Sequence, residues 1–144
     1  MRPLQIIALT CLVLIWTRLA PGQGIEGVSV VQSLASPERY TGKWVTVRGF
    51  LHLEFEGNAL YLHQEDYDHM LLKNAVWIDA NSDVEKQKAS LSDHYVTIIG
   101  MFRAGDDGHM GLFSGSLTNI KHVEVAKSRK DVDEILKRTL EKKK

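Results

Sequence analysis

The chain has 144 residues, 44% of them hydrophobic and 25% charged, which suits one folded domain and excludes wholesale disorder. Lys and Arg number 18, as do Asp and Glu, so a strongly basic nucleic-acid binder is excluded on charge balance. No P-loop, GxGxxG, GxSxG or HExxH motif is present, which removes the signatures of the large nucleotide-binding, hydrolase and zincin families.

Residues 1–22 read as a secretory signal peptide. Arg2 supplies the positive start, residues 4–16 are apolar except Gln5 and Thr10, and Ala20 and Gly22 stand at −3 and −1 of a cut after Gly22. As a helix, residues 4–16 would rise about 20 Å, short of a hydrocarbon core of roughly 30 Å, so no stable membrane span is expected after leader cleavage. The single cysteine, Cys11, lies inside this leader. A mature chain starting at Gln23 therefore has no disulfide and no cysteine zinc site, and must be held by its core. Such a domain suits an exported location in a bacterium, periplasmic or extracellular.

Residues 23–126 read as a β-domain. Over 28–36, Val28, Val31 and Leu34 repeat at helical spacing until Pro37, and Gly42 is the expected left-handed residue of the turn that follows. Residues 45–55 alternate strictly: Val45, Val47, Gly49, Leu51, Leu53 and Phe55 on one face, Thr46, Arg48, Phe50, His52 and Glu54 on the other. That period of two predicts one long strand with a buried face, and Gly49 permits a sharp bend near its middle. A turn at 56–58 leads to a hairpin partner over 59–63, with Leu60 and Leu62 inside. Residues 64–74 are polar and irregular. A third strand is expected over 75–80, with Trp77 opposite Val76 and Ile78, and a loop with a helical turn over 81–93. The fourth strand covers 95–102, where Val96, Ile98, Gly100 and Phe102 share a face. Residues 104–109 read as a turn, and 110–113 with 117–125 complete the β part, with a bulge near Lys121.

Residues 127–144 read as a basic C-terminal helix. Ser128 and Asp131 make a capping-box-like start, and Val132, Ile135, Leu136 and Leu140 form an apolar stripe expected to pack on the barrel. This segment carries net charge +4 and residues 23–126 carry −6, so neutrality is a cancellation.

The expected fold class is mainly β: a small OB-like antiparallel barrel with a short N-terminal helix and a C-terminal amphipathic helix. A long first strand kinked at glycine is what a five-stranded OB barrel requires, because that strand serves both sheets. The run 30–43 followed by Val45-Thr46-Val47-Arg48-Gly49, together with 49–58 and 108–115, resembles a family of uncharacterised bacterial exported OB-like proteins. The resemblance implies the fold and the exported location over roughly 28–125, and implies no activity.

Between Arg48 and Lys73 the chain holds Glu54, Glu56, Glu65, Asp66 and Asp68, three histidines, and no Lys or Arg. His52 and Glu54, together with His63, Glu65 and His69, concentrate imidazole and carboxylate, donors that suit zinc or another divalent ion. No HxH or HxxxH pair supports that reading, and a hydrated acidic sheet face explains the same residues. The same carboxylates would repel phosphate, although Trp44, Phe50, Tyr61, Tyr67 and Trp77 could stack, so nucleic acid is not an expected partner. Asp106-Asp107-Gly108-His109-Met110-Gly111 has the glycine content of a ligand loop, with His109 at its centre, and equally that of a hairpin turn.

These residues point to an exported, non-enzymatic binding module for a protein or a small ligand, with no catalytic residues and no required cofactor. The candidate ligand-binding residues are His52, Glu54, His63, Glu65, His69 and His109. Two alternatives stand beside it: a divalent-metal protein built on the His/carboxylate cluster, and a binder of anionic envelope polymers through the basic C-terminal helix.

Overall fold

The computed structural model describes residues 24–141, with the side chains of Asp106, Asp107 and His109 outside that description. The leader and the last three lysines lie outside the described residues. Strand β1 (Glu26–Ser29) runs into helix α1 (Val30–Ala35) and helix α2 (Pro37–Tyr40). The first boundary is a capping box: the Ser29 hydroxyl accepts from the Gln32 amide at 3.1 Å while the Gln32 side chain accepts from the Ser29 amide at 2.9 Å. Val28 thus belongs to a strand and not to the expected helix. Pro37 opens a second short helix instead of only ending the first, since a first-turn proline gives up an amide that has no partner anyway.

Strand β2 (Trp44–His52) carries the predicted alternation inward: Val45, Val47 and Leu51 are buried. It is shorter than the alternation suggested, and Phe55, expected inside, is 89% exposed at the tip of the following loop. The remaining strands are β3 (Ala59–Tyr61), β4 (Ala75–Ile78), β5 (His94–Asp107) and β6 (Phe113–Val125). Strand β5 runs five residues beyond the expected end, so much of the expected 104–109 turn is strand. Helix α3 (Gln64–Asp68) lies between β3 and β4, and helices α4 (Ser82–Lys86) and α5 (Lys88–Leu91) lie between β4 and β5. Helix α6 (Arg129–Glu141) ends the described chain.

The ring closes in the order β2-β3-β4-β6-β5 and back to β2, with β1 added outside it: a small OB-like barrel. It is mixed rather than wholly antiparallel, because β4 and β6 run parallel, as do β1 and β2. Strand β5 pairs along one edge of β2 from Trp44 to Leu51. The other edge is shared: β1 takes it as far as Arg48, and β3 takes it from Phe50. Gly49 is the residue at which β2 changes partners. A Cβ there would collide with the Tyr61 carbonyl and lie 2.9 Å from Leu60 Cγ. Only glycine lets the two backbones approach so closely, which is a stronger requirement than the bend expected of it.

Inside the ring, Val45, Val47, Leu51, Leu60, Val76, Ile78, Val96, Ile98, Phe102 and Leu117 form the core, closed at its ends by Val30, Tyr40, Val84 and Leu91. The register of β5 against β6 jumps between Ile99 opposite His122 and Met101 opposite Thr118, so β6 bulges over residues 119–121 with Asn119 left-handed at φ 51°, where the bulge was expected. A second apolar cluster sits on the outer face of β2, β3 and β4: Phe50, Ala59, Tyr61, Ala75 and Phe113, with Tyr67, Leu72 and Trp77 against it. Segment 64–74 folds across this outer face.

Candidate functional site

The outer aromatic cluster is where the sequence candidates and the geometry meet. Phe50 and His52 point outward from the end of β2, and Tyr61 does so from β3. Tyr67, from α3, leans over all three. Its ring stacks on His52 with centroids 4.1 Å apart, and meets Tyr61 edge-on at 5.5 Å. Phe50 in turn touches Tyr67 and Tyr95 at 6.0 and 5.7 Å.

Segment 64–74 is held in this position by a buried carboxylate. Asp66, 8% exposed, accepts from the His63 amide at 3.0 Å and from the Asn74 side chain at 2.9 Å. These two bonds tie the start of α3 to the 3-10 turn Leu72–Asn74 and satisfy a charge that would otherwise be costly to bury. In the sequence Asp66 looks like one more acid of a hydrated patch; its partner Asn74, eight residues on, is what distinguishes it.

His52 lies at the centre of a short polar chain. Its Nδ1 is 2.6 Å from the Asp93 carboxylate, its Nε2 is 3.2 Å from the Tyr67 hydroxyl, and Glu54 Oε2 is 3.7 Å from the same Nε2. With Nδ1–H donating to Asp93, Nε2 accepts from the Tyr67 hydroxyl. Beside this chain, Glu54, Tyr61, Tyr67, Asp68, Met70 and Leu72 line a cleft of about 530 Å³. Tyr67 forms its aromatic wall with buried Tyr61 behind it, Met70 and Leu72 form its apolar side, and Glu54 and Asp68 its charged rim. The phenols register that charge. Burial, then the Glu54 carboxylate and Tyr67, push Tyr61 up to about 12. Tyr67 is raised as well, by desolvation first and then by Glu54, Asp93 and Asp68.

The other candidates fall elsewhere. Glu54, expected on the outer strand face with His52, lies beyond the strand, because β2 ends at His52. Glu54 nevertheless reaches His52 by folding back in the loop. His63 and His69 sit at opposite ends of α3, both exposed, and six helical positions separate them by about 9 Å along the axis. Glu65 lies between them on the solvent side. Among the described residues no three His, Cys, Asp or Glu side chains converge where a metal ion could be held. His109 belongs to a 3-10 turn, His109–Gly111, and its side chain lies outside the description. Next to it Gly108, at φ 75°, presses on Trp77 and Phe113, with a virtual Cβ 2.5 Å from the indole. Gly108 is thus required for this packing, whatever else the loop does.

The aromatic residues of the stacking type are mostly occupied. Phe50 and Tyr61 are buried, Trp77 packs on Phe113 at 5.5 Å, and Lys121 Nζ covers Trp44 at 3.5 Å. Tyr67 is the one that lines an open cleft. Asp93 and Tyr67 are the residues that the sequence reasoning missed as a pair with His52: Asp93 is 41 positions away and falls in a segment without periodicity.

No described helix is long and apolar enough to cross a membrane. The chain matches no family model, no curated protein and no solved structure.

Proposed function

We propose that this chain is an exported, non-enzymatic binding module that takes a small ligand in the cleft of Tyr61 and Tyr67. The observation that carries the reading is a cleft that sets the open Tyr67 ring, backed by buried Tyr61, beside a rim of Glu54 and Asp68 on the outer face of the barrel. Small-ligand sites are concave, largely apolar and marked by a few placed polar groups, and a volume of several hundred Å³ is ordinary for them. Chemistry is a poor fit to the polar chain. Desolvation first, then the neighbouring carboxylates, shift its terminal phenol upward, the direction that opposes forming a phenolate nucleophile. The acid at the other end, Asp93, is 62% exposed, so water competes for any proton passed along it.

The test is chemical-shift mapping by NMR with one amine, one monosaccharide and one carboxylate: methylammonium, glucose and acetate. Shifts converging on Tyr61, Tyr67 and Leu72 for at least one, without conversion of the added compound, are expected. Shifts confined to another surface, or turnover, overturn the reading. Export rests on the leader and on the resemblance to exported OB-like proteins. Mass spectrometry of the secreted protein should find Gln23 at the N-terminus; an intact Met1 in the membrane fraction contradicts it.

A second reading has its own support. Arg48, His94, Lys127 and Arg129 border a groove of about 430 Å³ at the base of α6. The apolar stripe of α6 is exposed beside that charge, which favours an anionic envelope polymer as partner. Retention of the protein by anionic vesicles, lost in Lys127→Glu/Arg129→Glu, would support it.

A further inference from the structure

Resting on the reading of the cleft as a ligand site, we infer that the ligand it takes is an organic cation, an ammonium group carried on a small molecule. Tyr67 is the aromatic surface open to the cleft: one of its faces is stacked on His52 and buried Tyr61 meets it edge-on at 5.5 Å, so an ammonium in the cleft lies against Tyr67. A cation held against aromatic faces is attracted by their quadrupoles, more strongly as water is displaced. Glu54 and Asp68 lie on the rim, and no Lys or Arg lines the cleft. In the sequence, residues 49–72 contain no Lys or Arg, and Lys73, which follows the lining residue Leu72, borders a different groove with Val30 and Leu34.

Geometry separates this cleft from the others. The space bounded by His52, Phe55 and Asp93 has Lys86 and Lys88 among its walls beside Glu54 and Glu85, so its carboxylates have cations next to them, and the groove at the base of α6 is basic. Desolvation is the first cause of the upward shift of both phenols; the Glu54 carboxylate adds to each, a contribution of the sign a cation requires. Met70, 79% exposed at the mouth, adds a polarizable thioether beside the path of a methylated ammonium. The rim that attracts an ammonium repels phosphate, so a free ammonium compound is the expected source rather than a phosphorylated headgroup.

The experiment titrates the protein with three probes of related shape: choline, its uncharged isostere 3,3-dimethylbutan-1-ol, and phosphocholine. Choline is expected to bind about tenfold more tightly than the isostere, the scale of one to two kcal/mol of cation–π and charge attraction. Phosphocholine should bind more weakly than choline, and added salt should weaken choline alone. Glu54→Gln/Asp68→Asn should reduce the preference to the part that Tyr67 supplies while the isostere is unaffected; both residues are exposed, so the variant is expected to fold. Tyr67→Leu should cost choline more than the isostere. Equal binding of choline and the isostere overturns the cation assignment but leaves the cleft as an apolar ligand site. A preference for phosphocholine overturns it as well. Failure of all three probes, together with no cleft shifts from the amine, sugar and carboxylate, overturns the binding reading itself.

Discussion

Strand β2 and helix α6 send the same signal in the sequence and meet opposite fates. Both are amphipathic by spacing, β2 at period two and α6 at helical period. In β2 the spaced residues Val45, Val47 and Leu51 are 0–1% exposed; in α6 the spaced residues Val132, Ile135, Leu136 and Leu140 are 43–66% exposed. The expectation that the helix packs on the barrel is corrected accordingly: α6 has no buried residue. The difference is topological. Both edges of β2 are paired and its inner face looks across a closed ring, so each apolar side chain has an opponent from another strand. By the time α6 is reached, every barrel strand is already in place and the core already has its helical residues from α1, α2, α4 and α5. Periodicity decides which side chains share a face; the rest of the chain decides whether that face is covered.

The largest expected effect breaks the buried side of the comparison. Gly49→Val forces side-chain atoms into the Tyr61 carbonyl and Leu60 at the point where β2 exchanges β1 for β3. The loss is expected at the upper end of overpacking, about 3 kcal/mol, which lowers the melting temperature by roughly 10–20 °C. A calorimetric scan showing no change would mean the two strands are not in contact there.

A smaller effect concerns the outer face. Tyr61 has a folded pKa of about 12 against an ordinary value of 10. For an acid raised on folding, the stabilisation is complete below the unfolded pKa and is lost as pH rises through the folded one. Stability should therefore be level up to about pH 10 and decline from there toward pH 12. Absorbance of the phenolate and the melting temperature should report this window together. Tyr61→Phe should flatten the decline, and an unaltered slope in that variant would detach it from Tyr61. Gly57→Ala sharpens the point, because Glu54 lies folded across Gly57 and a Cβ there would stand 2.6 Å from Glu54 Cδ. Displacing that carboxylate should lower the Tyr61 titration part of the way and weaken choline binding, with less than about 1 kcal/mol change in stability. Burial, the first cause of the Tyr61 shift, is untouched.

The contrast also explains what could be read from the sequence. The inner face was legible because β2, β4 and β5 each alternate, and Trp77 opposite Val76 and Ile78 was placed correctly on the outside. The S-x-x-Q box at Ser29 could have been read as a helix start, and it would have kept Val28 out of the helix. Phe50 was assigned to the outward face, but a buried outward aromatic needs a cover, and the cover comes from 64–74. That segment has no period. Its place depends on Asp66 binding back to His63 and across to Asn74, and on Tyr67 reaching His52. The candidate site was half legible for the same reason. His52 and Glu54 were picked out by composition, whereas Asp93 and Tyr67 are brought to them by the turn between α5 and β5 and by α3. His63 and His69, grouped by proximity in sequence, are separated by the helix between them.

The smallest expected effect tests the exposed side. Helix α6 begins with reciprocal bonds: the Asp131 amide donates to the Ser128 hydroxyl at 3.2 Å, and the Asp131 carboxylate accepts from the Ser128 amide at 2.8 Å and its hydroxyl at 2.7 Å. The hydroxyl bond, then the amide bond, hold the Asp131 carboxyl below its usual range. A carboxylate depressed on folding stabilises above its unfolded pKa of about 4 and ceases to do so as pH falls through the folded value. A short helix with no packed face is marginal in water and depends on such a cap. Circular dichroism should therefore show α6 intact from pH 5 to 7 and fraying below about pH 4, and Ser128→Ala should lower helicity throughout and blunt the acid step. The near-ultraviolet signal of the barrel tyrosines and tryptophans, and the melting temperature, should not move in that variant. If the barrel loosens when the cap is removed, α6 is coupled to the core after all, and the distinction between a covered and an uncovered amphipathic face no longer separates it from β2.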